Sequence, residues 1–310
     1  MLETKKIAKI FSRMDVSIII TTNREPKTLL KALFRVRKNL AEKFWQALQT
    51  EVLVIGPDQE TKKTYLYFKN KANLSQNIKL RLLKDRGIGK PNALNWTVKQ
   101  AKGKILVLTD GDVYVEPGAI QNLVKTLKKQ PKIGAVSGRP VSLNPKNNLF
   151  GFWSHYLVEQ AHSLRLRRLK LKQYLPVSGY LFAIKKNLFP ALTPNLLAED
   201  AWLSLRLHQR GYKISYCHAA WVYVKFPTNW TDWLKQKKRS VGGYWQTNYK
   251  QNRLQLELAG LKSTLTYPSN SQERWWMFLL ILARIYLWIL IWWEIKVLKK
   301  SAWKRVESTK

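Results

Sequence analysis

Residues 16–21 read Val-Ser-Ile-Ile-Ile-Thr (VSIIIT), a short run in which apolar, β-branched side chains dominate. Such a run, preceded by a charged residue, is typical of a strand that is buried on both faces of a parallel sheet. Pro26 follows a few residues later and predicts the start of a helix. The apolar positions of that helix are Leu29, Leu30, Leu33 and Phe34.

The same order of strand and helix recurs downstream. The sequence predicts strands over residues 51–55 and 105–109, and a helix over residues 91–101 between them. This alternation indicates an α/β fold whose sheet carries helices on both faces. Ligands of such sheets bind at the carboxyl ends of the strands, where polar side chains become candidates for a site. Here those segments are residues 21–25, 56–58 and 110–112.

Beyond about residue 149 the chain becomes aromatic and basic, and residues 163–172 read SLRLRRLKLK. Two interpretations are open for this stretch: a solvated surface helix, or a helix that lies on anionic lipid with Arg and Lys at the headgroups. We assign residues 149–176 to a membrane-interface helix within a catalytic domain of residues 15–250. Further strands are predicted over residues 177–184 and 212–217, with a helix over residues 199–210 between them.

The chain is strongly basic, with 55 Lys and Arg against 19 Asp and Glu and a net charge of +36. Such a charge predicts a polyanionic partner, either nucleic acid, anionic lipid or a phosphorylated ligand. The single cysteine, Cys217, excludes an internal disulfide framework and fits a reducing compartment. Residues 1–14 are basic and amphipathic and lack an apolar run of secretory length, so we expect the bulk of the protein in the cytosol.

Two carboxylates, Asp110 and Asp112, follow the strand predicted over residues 105–109. In a turn beyond a strand end both can point into the same cleft. A divalent cation, Mg²⁺ or Mn²⁺, held by such carboxylates can neutralise the charge on a departing diphosphate. The Asp-Gly-Asp triplet is also common in ordinary turns.

Two other segments carry candidate chemistry. Residues 85–95 (DRGIGKPNALN) form a glycine-bearing loop that runs into a helix, where Lys90 and the backbone amides favour a phosphate. The alternative is a plain loop with a capping turn. Glu199 and Asp200 are adjacent at a predicted helix start, so one can cap the helix and the other can act as a general base.

Taken in order, these segments resemble the family-two glycosyltransferases from about residue 16 to residue 243. The resemblance rests on the blocks VSIIITTNRE (16–25), DRGIGKPNALN (85–95), LVLTDGDVYVEPG (106–118), VSGYLFAIKK (177–186), AEDAWLSLRLHQRGYKISY (198–216) and QKKRSVGG (236–243). It implies a Rossmann-like GT-A fold that binds a nucleotide sugar. The implied reaction is an inverting, metal-dependent transfer from a nucleotide-diphosphate sugar, with a UDP-sugar as the expected donor.

The resemblance also implies roles for individual residues. Asp110 would contact the nucleoside, and Asp112, with Asp110, the metal and the diphosphate. Asp200 would be the general base, with Glu199 beside it. Gln236 and Arg239 resemble the Gln-x-x-Arg-Trp element that holds diphosphate and acceptor. The full set expected to bind the donor is Thr21, Asn23, Glu25, Asp58, Lys90, Asp110 and Asp112.

This sequence departs from the family pattern at three places. Thr22 is followed directly by Asn23, without the tyrosine that usually follows the first strand. Gly56 and Pro57 replace the usual acidic pair and leave Asp58 as a shifted base-binding carboxylate. Ser240 replaces the tryptophan of the last element. These departures keep open the alternative of an inactive glycosyltransferase-like scaffold. The charge of +36 and the basic stretch 163–172 keep open a nucleic-acid-binding protein, which would not explain carboxylates at strand ends.

Residues 275–293 (WWMFLLILARIYLWILIWW) form an apolar segment with tryptophans at both ends, within a C-terminal region of residues 251–310. Its length suits a membrane span, but Arg284 near the middle and a basic tail argue against one. We therefore favour an in-plane or leaflet-inserted helix over a single span or a buried helix of a soluble core. The prediction is an enzyme at the cytosolic face of the membrane, with anionic lipids as partners and a lipid-linked or envelope-polysaccharide acceptor.

Overall fold

The computed structural model describes residues 14–246 and 264–296. Predictions for the basic N-terminal segment concern residues 1–13, and those for the basic tail concern residues beyond 296. Both therefore lie outside the described residues, as do residues 247–263, where the predicted boundary between the catalytic domain and the C-terminal region falls.

Eight strands form one mixed sheet in the order β3-β2-β1-β4-β7-β6-β8-β5. The strands are β1 (Val16–Thr21), β2 (Thr50–Ile55), β3 (Ile78–Leu83), β4 (Ile105–Asp110), β5 (Val113–Val115), β6 (Ile133–Ser142), β7 (Leu181–Lys185) and β8 (Lys213–Val224). β1 pairs in parallel with β2 and β4, whereas β7 runs antiparallel to both β4 and β6. The start of β7 therefore lies beside the carboxyl end of β4.

Eight α-helices are described alongside the sheet. They are α1 (Pro26–Leu40), α2 (Gln59–Lys71), α3 (Lys90–Gln100), α4 (Ala119–Lys128), α5 (Leu149–Lys170), α6 (Glu199–Gln209), α7 (Trp230–Gln246) and α8 (Ser271–Lys296). Two short 3₁₀ helices are Lys43–Ala47 and Lys186–Leu188, and residues 264–266 are also helical.

Apolar clusters cover both faces of the sheet. Alternate residues of β1 point to opposite sides, so Ile18 and Ile20 join one cluster with α1 and α4, and Ile19 joins another with α3 and α6. All three side chains are fully buried. This burial on both faces explains why VSIIIT lacks a polar alternation, and it confirms the predicted α/β sheet with helices on both faces.

The predicted strands over residues 51–55 and 105–109 match β2 and β4 within one residue, and the helices predicted at 91–101 and 199–210 match α3 and α6 equally well. The strand predicted over 177–184 is wrong at its start, because β7 begins at Leu181. The preceding backbone bonds to side chains instead: the N–H of Ser178 donates to Ser137 Oγ and that of Gly179 to Asp200 Oδ2.

Most of the predicted interface segment, residues 149–176, is α5. In its first half Phe152, Trp153 and Tyr156 are buried in an aromatic cluster with α7 and α8, so these three side chains pack against protein. The basic second half has exposed leucines, such as Leu166 and Leu169, and its contact with lipid stays a prediction.

Candidate active site

The centre of the site lies where β1 and β4 end side by side. Thr21 and Asp110 are the last residues of these strands and are paired in register. The Thr21 hydroxyl donates a hydrogen bond to Asp110 Oδ1. The site is thus anchored on two buried, parallel strands, which hold its first carboxylate in place.

A tight turn carries the chain from Asp110 to Asp112. The N–H of Gly111 donates to the carbonyl of Thr21 at 2.8 Å, which folds the turn back over the end of β1. A Cβ atom at Gly111 would lie 2.8 Å from both Cβ and Oγ1 of Thr22, so only glycine fits there. The Asp-Gly-Asp triplet is therefore a built feature of this strand end, and it places its two carboxylates close together.

Lys90 joins two carboxylates that lie far apart in the sequence. It is the first residue of α3, directly after Gly89, whose φ of 104° starts the helix from a conformation that suits glycine. Its ammonium lies 2.8 Å from Asp110 Oδ1 and 2.8 Å from Glu199 Oε1. In the structure Lys90 thus contacts carboxylates, and its predicted contact with donor phosphate stays a prediction.

Glu199 and Asp200 are the first two residues of α6. The N-cap position belongs to Ala198, so neither carboxylate takes the capping position considered for them. Asp200 Oδ1 accepts a hydrogen bond from the N–H of Ala201 at 2.9 Å, and Oδ2 accepts one from the N–H of Gly179 at 3.0 Å. The second bond ties Asp200 to the segment that leads into β7.

Burial and charge shift the pKa of each carboxyl group in the cluster. Burial raises the pKa of Asp110, and the nearby Asp112 raises it further, against the opposing effect of Lys90. Burial and the charge of Glu199 together raise the pKa of Asp200. For Glu199 burial acts to raise the pKa, but Lys90, a backbone hydrogen bond and Arg239 together lower it. Of the adjacent pair, Asp200 is therefore the better proton acceptor.

Tyr180 lies within electrostatic reach of the cluster, and the sequence did not single it out. Burial raises the pKa of its hydroxyl to about 12, with further effects from four charged groups. These groups are Arg239, Asp112, Asp200 and Asp110. Tyr180 precedes β7, and its carbonyl accepts a hydrogen bond from Thr109 Oγ1 at 3.0 Å. The sequence feature that could have revealed Tyr180 is its place in the block VSGYLFAIKK, one of those that carry the family resemblance.

Arg239 comes to the cluster from α7. Its charge lowers the pKa of Glu199 in addition to acting on Tyr180. Gln236 lies one helical turn earlier on α7 and is half-buried. The structure thus brings the last predicted element to the same cleft as the carboxylates, and the fit of Gln236 and Arg239 to diphosphate and acceptor stays a prediction.

The remaining predicted donor-binding residues lie together at a second position along the strand ends. Asp58 is the N-cap of α2, where its carboxylate accepts from the N–H and the hydroxyl of Thr61. It also accepts from the N–H of Arg24 at 3.0 Å, within the loop that contains Asn23 and Glu25. These hydrogen bonds outweigh burial and lower the pKa of Asp58. Asp58 therefore has a structural role of its own, and its contact with a base is untested.

The residues present fit a divalent cation. Asp110 ends β4, where it contacts Lys90 and Thr21, and Asp112 follows it in the turn, so both carboxylates are candidate ligands of the ion. The negative charge of Asp112 raises the pKa of Asp110, which shows that the two carboxylates repel each other. A bound cation would relieve this repulsion. Among residues 14–246 and 264–296, no three His, Cys, Asp or Glu side chains form a metal-binding group. The phosphates of a ligand would therefore supply the other oxygens.

Comparison with known proteins places this architecture in a family. Residues 13–243, well over half of the chain, match the family model "Glycosyltransferase like family 2". Poly-beta-1,6-N-acetyl-D-glucosamine synthase of Staphylococcus aureus is 29% identical over 201 residues, which cover 62% of this chain and 47% of that protein. Probable glycosyltransferase YdaM of Bacillus subtilis is 26% identical over 234 residues, 74% of this chain and 54% of the relative. The chain thus spans about half the length of these relatives.

A solved structure shares the fold along nearly the whole chain. The mannosyltransferase PcManGT from Pyrobaculum calidifontis has a TM-score of 0.61 at 16% identity, covering 96% of this chain and 95% of its own. This likeness confirms a GT-A-like fold. Together with the family match over residues 13–243, it supports one conclusion: the chain belongs to the family-two-like glycosyltransferases.

Proposed function

We propose that the protein is an inverting glycosyltransferase that moves a sugar from a nucleotide-diphosphate sugar to an acceptor hydroxyl at a membrane surface. One observation carries the proposal: Lys90 lies 2.8 Å from both Asp110 of β4 and Glu199 of α6, which brings the Asp110–Asp112 turn and Asp200 to one region, where Arg239 of α7 also acts on Glu199. A cleft with two carboxylates on one side, a third on another element and a guanidinium suits this chemistry.

Each group has a distinct task in the proposed reaction. Asp200 accepts the proton of the acceptor hydroxyl, and the acceptor oxygen forms a bond to the anomeric carbon of the donor. The bond from that carbon to the diphosphate breaks on the opposite face, so the configuration inverts. Arg239 stabilises the negative charge of the departing diphosphate. A divalent cation on Asp112, with Asp110 behind it, would neutralise the same charge as a Lewis acid.

Lys90 and Gly179 position the base. Lys90 connects Asp110 to Glu199, the residue before Asp200, through two 2.8 Å contacts. The N–H of Gly179 fixes one oxygen of Asp200, while a Cβ at this position would lie 3.2 Å from that oxygen. Asp110, on the donor side, and Asp200, the base, are therefore held in fixed positions relative to each other before substrate binds, as efficient transfer requires.

The donor and acceptor follow from chemistry and relatives. A UDP-sugar is the proposed donor, supported by the name of the staphylococcal relative, a polymer synthase of N-acetyl-D-glucosamine. Mn²⁺ is a suitable test ion, because PcManGT was solved with GDP-Man and Mn²⁺. A lipid-linked or envelope-polysaccharide acceptor at the cytosolic face suits the apolar α8 and the net charge of +36. Ser240, in place of an aromatic platform, favours transfer of single sugars over polymerisation.

The test is release of nucleoside diphosphate by the purified chain, with bacterial membranes as the source of acceptor, Mn²⁺ or Mg²⁺, and a panel of nucleotide sugars. We expect release with at least one donor. Asp200→Asn should lower the rate about 10²–10⁴-fold, the range for loss of a general base, and keep donor binding. Asp112→Asn should lower both the rate and the affinity for the donor. Donor binding without turnover by the wild type would identify an inactive scaffold instead.

A further inference from the structure

Helix α8 has two faces of different character. Its buried positions recur every three or four residues: Met277, Leu280, Ala283, Leu287 and Ile291, each at most 5% exposed. Its exposed large hydrophobic side chains are Trp275, Phe278, Ile281, Leu282, Ile285, Tyr286, Ile289, Trp292 and Trp293. One face is therefore covered by the protein over nearly the whole helix, and the other presents a mainly apolar surface with the exposed Arg274 at its start.

The covered face is fastened to the catalytic unit. Trp153 of α5 donates from Nε1 to the carbonyl of Trp276 at 2.7 Å, and the rings of Phe152 and Trp276 lie 5.8 Å apart. Further along α8, Tyr286 lies 5.9 Å from the ring of Trp230 of α7. These contacts extend over ten residues, about 15 Å of helix. Both α5 and α7 thus pack against α8.

The composition of α7 decides how α8 can meet a membrane. Within the described part of the chain, α8 is the one helix long and apolar enough to cross a bilayer. Its neighbour α7 carries five charged residues, namely Asp232, Lys235, Lys237, Lys238 and Arg239. Each charge costs about 2.5–3.5 kcal/mol at the centre of a bilayer on insertion scales. Because Trp230 and Trp233 of α7 pack against α8, a crossing α8 would draw the neighbouring charges of α7, such as Asp232 and Lys235, towards the hydrocarbon.

We infer that α8 lies flat in one leaflet and docks the enzyme through its exposed face on a bilayer that contains anionic lipid. Three features indicate that lipid covers the exposed face: tryptophans at both of its ends, the net charge of +36, and the absence of an exposed acid on residues 271–293. Glu273, the one acid within residues 271–293, is buried, and Lys146 lies 3.6 Å from it. The exposed face therefore offers no negative charge to repel anionic headgroups.

This inference deepens the membrane location in the proposed function and gives it a consequence. Helix α7 contacts α8 near one end, while Gly243 near its other end packs against Ala198, two residues before Asp200. The general base therefore stands at a fixed height above the leaflet. An acceptor anchored in that leaflet would reach the base without leaving the membrane.

Depth measurements on the full chain test the orientation. Single spin labels replace Trp275, Leu282 and Ile289, seven residues apart on the exposed face, in a Cys217→Ser background with vesicles of phosphatidylcholine and phosphatidylglycerol. A label at Leu66, an exposed apolar residue of α2, serves as the aqueous control. A flat helix predicts equal depth in the lipid at all three positions. A span predicts that position 282 lies about 10 Å deeper than the other two, and would overturn the inference.

A second measurement tests whether lipid is the occupant. Ile285→Glu with Ile289→Glu should lower flotation with the same vesicles at least about tenfold, which corresponds to 1.4 kcal/mol, while Leu66→Glu should leave it unchanged. Labels that stay exposed to water, or that broaden each other through self-association, would overturn the inference. Calorimetric binding of the donor to the same variants is expected to be unchanged. That readout separates failure of the docking surface from failure of the proposed function.

Discussion

At the scale of single residues, Lys90 is the group on which the site depends most. Its ammonium contacts Asp110 and Glu199, and these two carboxylates outweigh burial and raise the pKa of Lys90. Lys90 therefore stays charged while the acids around it differ in pKa. Its removal would leave two partly buried carboxylates without their shared cation.

We expect Lys90→Met to lower the free energy of unfolding by about 1–3 kcal/mol, a range reduced for the solvent screening of a side chain about one third exposed. The transfer rate should fall about 100-fold, because Glu199 and Asp200 would shift relative to the donor side. Urea unfolding and initial rates measure the two effects. Lys84→Met, at an exposed lysine before the same loop, is the matched control, and equal losses in both variants would contradict the bridging role.

The pKa of Asp200 predicts the pH dependence of transfer. Burial and Glu199 raise this pKa, so the acid limb of kcat should lie above the ordinary range for an aspartate. Glu199→Gln removes a negative charge beside Asp200 and makes the ionised base easier to form, so the acid limb should move to lower pH. The pH profile of kcat at saturating donor measures this, and an unchanged or higher limb would argue against Asp200 as the base.

The sequence singled out acids that the structure brings near one another, but not their partners. Strand ends, a helix start and the family resemblance point to Asp110, Asp112 and Asp200, and all three act electrostatically on Tyr180. The ion pair of Lys90 with Glu199 joins residues 109 positions apart. No local pattern encodes such a contact, because it depends on how α3 and α6 meet above the sheet.

At the scale of elements, the first strands were predictable because burial on both faces leaves continuous apolar runs. β3 and β6 were not assigned from the sequence. β3 alternates Lys79 and Arg81 with apolar residues, and β6 contains Gly134, Gly138 and Pro140, so neither has a continuous apolar run. Their strand conformation is stabilised by pairing with β2, β7 and β8. Tertiary pairing overrides weak local preference here.

The contact between α7 and the start of α6 predicts the effect of an added methyl group. A Cβ at Gly243 would lie 2.2 Å from Cβ of Ala198, so Gly243→Ala must push α7 away from the segment before Asp200. We expect a stability loss of about 1–3 kcal/mol and a transfer rate about 100-fold lower, with donor binding retained. Ser240→Ala, at an exposed position of the same helix, should change neither quantity. Full activity of Gly243→Ala would show that this contact does not position the base.

At the scale of the whole molecule, charge and apolar surface are divided between two tasks. The acids that matter to the proposed chemistry lie in one cleft of a chain that carries a net charge of +36. The apolar surface lies on α8, which α7 connects to that cleft. This arrangement accounts for a basic, tryptophan-rich chain better than nucleic-acid binding does, because phosphates of a nucleic acid would meet carboxylates at the strand ends.

Calorimetric titration of the full chain with UDP-N-acetylglucosamine and other nucleotide sugars, with and without Mn²⁺, tests the central claim most directly. We expect at least one nucleotide sugar to bind, and only when the divalent ion is present. Asp112→Asn should lose most of this affinity, and adding the ion should no longer strengthen its binding. The central claim would be contradicted if no nucleotide sugar bound. It would also be contradicted if the affinity were the same with and without metal and the same in Asp112→Asn as in the wild type.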